Sequence, residues 1–267
     1  MKIEKITIMG GVGKNGEREA VERLDLTMGD VVSIVGPTGS GKTTFIEDIE
    51  LFANENTPSG RKILINGHTV DDGRFEKPSD HPIALITQHT NVLSDMGVHD
   101  FLMTHAAVRG LDDNQTAVQE TIAFANQLTG EAIDVKNAMT ELSGGQTRAL
   151  LIADAVIIGN SPIILLDEIE NAGIHRTRAL EMLRQYEKIF IFVTHDPRIA
   201  LLSDFRIVMK NGGMQSMIHT NDEEKLVVEE IKKMDDLLLD LRRHIRDGEK
   251  LTQTYLEGRL REMGYLS

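Results

Sequence analysis

The chain has 267 residues, 40% of them hydrophobic and 27% charged, with a net charge of -13 and no cysteine. That is ordinary composition for a globular chain able to bury a core, as one large domain or a core with an appendage. It excludes disulfides, a cysteine nucleophile and a cysteine metal site, and nucleic acid is not an expected partner, because phosphate-backbone binders carry basic surface.

No apolar run approaches the ~18 residues that a membrane-spanning helix needs. The opening MKIEKITIMGG has no long apolar stretch of a secretory signal. The chain is expected to be cytoplasmic, reaching the inner face of a membrane only through a separate partner.

In chain order, residues 2–9 alternate as a strand, and Gly10, Gly11, Gly13 and Gly16 then read as a turn. A second nucleotide contact is the lesser alternative there, since the spacing is not that of a phosphate loop. Leu24, Leu26 and Met28 alternate before Gly29-Asp30 turns the chain into Val31 to Thr44, VVSIVGPTGSGKTT. This stretch reads as a buried strand, a loop and a helix start. Gly36, Gly41, Lys42 and Thr43 fit G-x-x-x-x-G-K-[ST]. Glycines let backbone N–H groups close around a phosphate, and the helix N-terminus adds its own. Gly36, Pro37, Thr38, Gly39, Ser40, Gly41, Lys42, Thr43 and Thr44 are therefore the candidate nucleotide cradle. Lys42 would reach the β/γ-phosphates and Thr43 would hold Mg²⁺.

Phe45, Ile49 and Phe52 mark one face of the following helix, and Ile63 to Ile65 a short strand ending at Asn66-Gly67. Residues 71–82 read as a loop, and Ile83 to Thr87 as a buried strand ending at Gln88. From Val98 to about Met139 the pattern is helical, giving a helical subdomain over about 89–158. Ile163 to Leu166 and Ile189 to Val193 are compact apolar strands with a crossover helix between them, through Ala179, Met182 and Leu183. Residues 206–209 and 214–218 read as a terminal hairpin. The fold class is α/β: a phosphate-loop NTPase core with a mainly parallel sheet and an antiparallel edge. The domain is expected over 1–220, with extra C-terminal helices over 221–267. There Val227, Ile231, Met234, Leu238, Leu241 and Ile245 form a short heptad seam. It reads as a helical hairpin packed on its own domain, or as a dimer or partner contact.

Leu142-Ser143-Gly144-Gly145-Gln146 narrows the assignment. LSGGQ resembles the signature of the ATP-binding cassette (ABC) ATPases. Ile163 to Glu168 resembles a Walker B strand, Gln88 the family's Q-loop, and Thr194-His195-Asp196 its switch histidine. The motifs stand in the family's order and cover roughly residues 3–218. The resemblance implies MgATP hydrolysis with Glu168, His195, Gln88 and Lys42 as catalytic groups. Thr43, Gln88 and Asp167 would serve the metal. The residue chemistry agrees, because a carboxylate at a strand end beside a phosphate loop suits Mg²⁺ and its neighbour suits a general base. Ser143, Gly144 and Gly145 open a helix read over 147–158, which with Gln146 makes a second anion site. The resemblance implies that this site faces the γ-phosphate of another subunit. Two cassettes, as a homodimer or a heterodimer with a related cassette, would then sandwich two ATP molecules.

Three departures stand out. The family's adenine-stacking aromatic has no counterpart near Gly10 to Gly16, so base selectivity is expected to be loose. Asn171-Ala172-Gly173-Ile174 replaces Ser-Ala-Leu-Asp after the glutamate, and Ala153-Asp154-Ala155 stands where an arginine is usual. Two roles remain: the nucleotide-binding subunit of a transporter, acting on a membrane permease, or a soluble ATPase that remodels a client protein or drives cofactor or metallocluster assembly.

Overall fold

The computed structural model describes residues 2–70, 80–87, 89–129, 131–168 and 176–266. The chain divides into two compact units, Met1–His219 and Thr220–Ser267. The strands of the first are β1 (Lys5–Met9), β2 (Arg23–Thr27), β3 (Val31–Val35), β4 (Lys62–Ile65), β5 (Ile83–Ile86), β6 (Ile163–Asp167), β7 (Ile189–Val193), β8 (Phe205–Lys210) and β9 (Gly213–His219). Its helices are α1 (Lys42–Glu50), α2 (Val98–Arg109), α3 (Asn114–Leu128), α4 (Gly144–Val156), α5 (Arg176–Leu183) and α6 (Pro197–Leu202).

The main sheet has the order β5-β6-β7-β3-β8-β9. Its first five strands run parallel and β9 closes the edge antiparallel, with a bulge between Val208 and Met209. A smaller antiparallel sheet has the order β2-β1-β4. Successive side chains leave a strand on opposite faces, and this divides the apolar residues between two cores. Ile164, Leu166, Phe190 and Phe192 join Leu102, Phe124, Leu128 and Leu150 from the helices. Leu165, Ile191, Val193 and Ile34 join Phe45 and Ile49 of α1 and Ile6, Ile8 and Ile63 of the small sheet. The main sheet is thus a middle layer. Its strands read as unbroken apolar runs because both faces are covered.

Three local features differ from the sequence reading. Helix α1 stops at Glu50, and Phe52 follows it with φ 49°, so the apolar spacing ran past the helix end. Helix α4 begins at Gly144, three residues earlier than expected, because Ser143 caps it. The short helix α6 has no apolar periodicity to announce it, yet Asp196 caps it and Pro197 occupies its first position.

The second unit holds α7 (Asp222–Arg246) and α8 (Gln253–Glu262). Helix α7 carries acidic residues in its first turn and basic residues in its last, each complementing the helix dipole. Helix α8 is tied to it by Tyr255 Oη and Arg259 Nε, which donate to Asp240 at 2.9 and 2.8 Å, and by stacking of His244 on Tyr255. Val227, Met234, Leu238 and Ile245 are exposed. No helix among the described residues is long and apolar enough to cross a membrane.

Candidate functional site

The parallel strands end at one edge, which is where α/β sheets bind ligands. Val193 at the end of β7 is in register with Ile34 of β3 and with Asp167 of β6. The three ends therefore lie level, each strand step being about 4.8 Å.

From β3 the chain enters the 36–41 loop and then α1. The loop is pressed against the β8–β9 hairpin. A Cβ on Gly36 would stand 2.4 Å from the Met209 carbonyl oxygen, and one on Gly41 would stand 2.7 Å from Gly212 Cα. Gly41 also has φ 98°, which L side chains rarely adopt. Gly212 N donates to the Ser40 carbonyl at 2.8 Å, so the hairpin acts as a template for the loop. Pro37, Thr38 and Gly39 form its exposed crest, while Ser40 is buried. Lys42 folds back, its Nζ donating to the carbonyls of Gly36 at 2.9 Å and Pro37 at 3.3 Å. No side chain caps α1, so the N–H groups of Lys42, Thr43 and Thr44 have no helical acceptor. Ser40 Oγ is buried without a hydrogen-bond partner among the described residues. Open N–H groups at a helix start, a loop that requires glycine at 36 and 41 and an unsatisfied hydroxyl together fit a bound phosphate chain.

Asp167 is the last residue of β6 and Glu168 follows it. Glu168 N donates to the Val193 carbonyl at 3.0 Å, which fixes the carboxylate next to β7. Its φ of 50° is left-handed, a conformation costing an L residue about 1–2 kcal/mol and concentrated at functional sites. His195 Nε2 stands 3.7 Å from Glu168 Oε1. The histidine is carried there by Thr194, whose N–H donates to Ile34 O at 3.2 Å. Thr194 Oγ1 in turn accepts from Asp196 N at 2.9 Å. The structure thus brings Lys42, Asp167, Glu168 and His195 to neighbouring strand ends. Gln88 and the segment 171–174 lie outside the described residues.

The signature residues lie at the start of α4, where Ser143 and Gln146 form a reciprocal cap. Ser143 Oγ accepts from Gln146 N at 3.3 Å and Gln146 Oε1 accepts from Ser143 N at 3.0 Å. Gln146 Nε2 also donates to Ala132 O at 3.1 Å. Ser143 and Gly144 are exposed, and the N–H groups of Gly144 and Gly145, which the reciprocal cap does not take, have no helical acceptor.

The profile of the ABC transporter family matches residues 22–171. The chain belongs to that family. It is an ABC-type ATPase, and ATP is its nucleotide. An uncharacterized ABC transporter ATP-binding protein of Methanocaldococcus jannaschii is 48% identical over 252 residues, 94% of this chain and 96% of the relative. The lipoprotein-releasing system ATP-binding protein LolD of a Shewanella species is 28% identical over 204 residues, 73% and 85% of the two chains. Among solved structures, an ATP-binding cassette in a dimeric post-hydrolysis state with ADP and Pi superposes with a TM-score of 0.62. It is 23% identical, with 81% of this chain and 99% of that one covered, a likeness of fold.

One feature of this ABC ATPase escapes sequence reading. Arg61 is fully buried with two carboxylates, Glu19 and Asp48. Its Nη2 donates to Glu19 and to the Gly212 carbonyl, the latter at 2.8 Å, and its Nη1 donates to Asp48 at 2.8 Å. Glu19 also accepts from the backbone N–H of Gly11 at 2.9 Å and of Met214 at 2.7 Å. Asp48 accepts from Ser59 Oγ at 2.7 Å. The cluster joins α1, the glycine-rich 10–16 loop and the hairpin turn that templates the phosphate loop. Asp48 was the available signal: a carboxylate three residues after Phe45 and one before Ile49, on the apolar side of α1.

Proposed function

We propose that the chain is the nucleotide-binding subunit of an ABC transporter, hydrolysing MgATP at a head-to-tail interface between two cassettes and working at the cytoplasmic face of a membrane through a permease. What supports this reading best is the convergence at one sheet edge of the Lys42 loop, Asp167 and the Glu168–His195 pair. That the relatives are an ABC transporter ATP-binding protein and a lipoprotein-releasing system ATP-binding protein supports transport over the remodelling of a soluble client.

In this reading Lys42 exchanges its carbonyl acceptors for β/γ-phosphate oxygens. Glu168 accepts a proton from water as the water oxygen bonds to Pγ. The bond from Pγ to the bridging oxygen breaks, and its electron pair leaves with ADP. His195 holds the attacking water and the γ-phosphate beside that carboxylate. Thr43, Asp167 and Gln88 offer the hard oxygen donors that suit Mg²⁺. When bound, the ion neutralises charge on the phosphates. The turn at Ser143, Gly144 and Gly145, reaching no phosphate of its own chain in this scheme, caps the γ-phosphate held by the second cassette.

The test is ATP turnover with Mg²⁺ by the wild type and by Lys42→Ala and Glu168→Gln, with and without membranes carrying a co-expressed permease. Loss of turnover in both variants and stimulation by a permease are expected. Unchanged turnover in either variant contradicts the hydrolytic reading, and co-purification with a soluble client alone contradicts the transport reading.

A further inference from the structure

Among the described residues, the ammonium groups of Lys42 and Lys14 both rest on the phosphate loop. Lys14 Nζ donates to the Gly39 carbonyl at 2.8 Å, on the exposed crest of the 36–41 loop. Lys42 does the same to Gly36 and Pro37. Both cations therefore rest on carbonyls of one short loop, from opposite sides in sequence. Among the described residues the Lys14 ammonium has no carboxylate partner, so its charge is uncompensated beside a site built for an anion.

The placement of Lys14 is not accidental to the loop that bears it. Lys14 N donates to the Asn211 carbonyl at 2.6 Å, and Gly13 N and Gly16 N close the turn onto Glu17 O and Gly13 O. A Cβ on Gly212 would stand 2.9 Å from Lys14 N and 2.8 Å from its Cγ, so the side chain lies across a position that only glycine leaves open. The buried Arg61 cluster holds both sides of this contact. Glu19 takes Gly11 N and Met214 N, and Arg61 takes Gly212 O. The backbone is thus fixed while the ammonium remains in solvent, joined to a neutral oxygen that it can give up cheaply.

We propose that Lys14 is a second lysine of the nucleotide site, exchanging the Gly39 carbonyl for a phosphate oxygen when nucleotide binds. The proposal rests on the reading that the nucleotide occupies the 36–44 loop. A charge-assisted bond to phosphate is stronger than a bond to a neutral carbonyl, and two lysines near one loop favour a polyanion over either charge alone. Such a contact reads the phosphates and not the base, so it strengthens ATP and GTP binding alike.

The test is the Kd of ATP and of GTP, by calorimetry at low and high salt, for the wild type, Lys14→Met, Lys14→Arg and Lys42→Ala, with melting temperatures alongside. Lys14→Met is expected to weaken both nucleotides about tenfold, the worth of one charge-assisted bond at a partly screened site. It is also expected to flatten the salt dependence and leave the melting temperature unchanged, while Lys14→Arg restores most of the affinity. Wild-type affinity in Lys14→Met, alongside lost affinity in Lys42→Ala, overturns the proposal and leaves the phosphate-loop reading intact. A loss confined to ATP also overturns it, since it would mark a base contact. Wild-type affinity in Lys42→Ala removes the nucleotide from this loop and overturns both.

Discussion

His195 Nε2 lies 3.7 Å from Glu168 Oε1, at the ends of adjacent parallel strands. The gap is longer than a hydrogen bond, which leaves the Glu168 carboxylate able to take a water molecule. Glu168→Gln keeps the shape and removes the carboxylate that is proposed to act as the base. It is expected to lower kcat by about 10²–10⁴-fold with nucleotide affinity maintained. His195→Ala is expected to lower kcat with KM little changed. Steady-state phosphate release checks both, and a His195→Ala effect confined to KM contradicts its assigned role.

Gly41→Ala tests the template role of the hairpin. The added methyl would meet Gly212 Cα at 2.7 Å, and the backbone there has φ 98°. The loop must shift while the sheet beneath it stays packed. Nucleotide affinity is expected to fall at least about tenfold from a displacement of this kind, with the far-ultraviolet dichroism unchanged. Calorimetry with ATP measures it, and wild-type affinity contradicts the packing argument.

Arg61→Met leaves Glu19 and Asp48 buried without their cation. Breaking a buried pair on one side costs about 3–5 kcal/mol, so a large drop in the urea midpoint is expected. Adding Glu19→Gln and Asp48→Asn removes the unpaired charges and is expected to return part of the loss. If Arg61→Met alone unfolds at the wild-type midpoint, the cluster is not the tie described here.

The strand-to-loop-to-helix series was readable because each piece has a local cause: unbroken apolar runs under a covered sheet, glycines where backbone must close, carboxylates at strand ends. What escaped has a non-local cause. Arg61 lies between Gly60 and a strand, and nothing near it in sequence reveals Glu19 or Asp48 as partners. The left-handed backbone of Glu168 likewise depends on its bond to Val193 across the sheet. Helix α4 starts at Gly144 because the Ser143–Gln146 cap outweighs the poor helix propensity of two glycines.

Lys188 gives a pH signature. Burial pushes its ammonium down from 10.5 to about 8, while Nζ donates to Asn160 Oδ1 at 2.7 Å. Below pH 8 both folded and unfolded chains hold the proton and the burial cost is fully present. Between about 8 and 10.5 the unfolded chain binds more protons, so stability rises with pH through that window. Lys188→Met is expected to abolish this rise. Urea unfolding of both proteins across that window measures it, and parallel curves contradict it.

The central claim, that two cassettes close over shared ATP, is tested most directly by sedimentation of Glu168→Gln with and without MgATP, alone and combined with Ser143→Arg. The account requires twice the mass of one chain only with MgATP, and a single-chain mass once Ser143→Arg is added. A species that stays at one mass throughout, or a dimer indifferent to both ATP and Ser143, contradicts it.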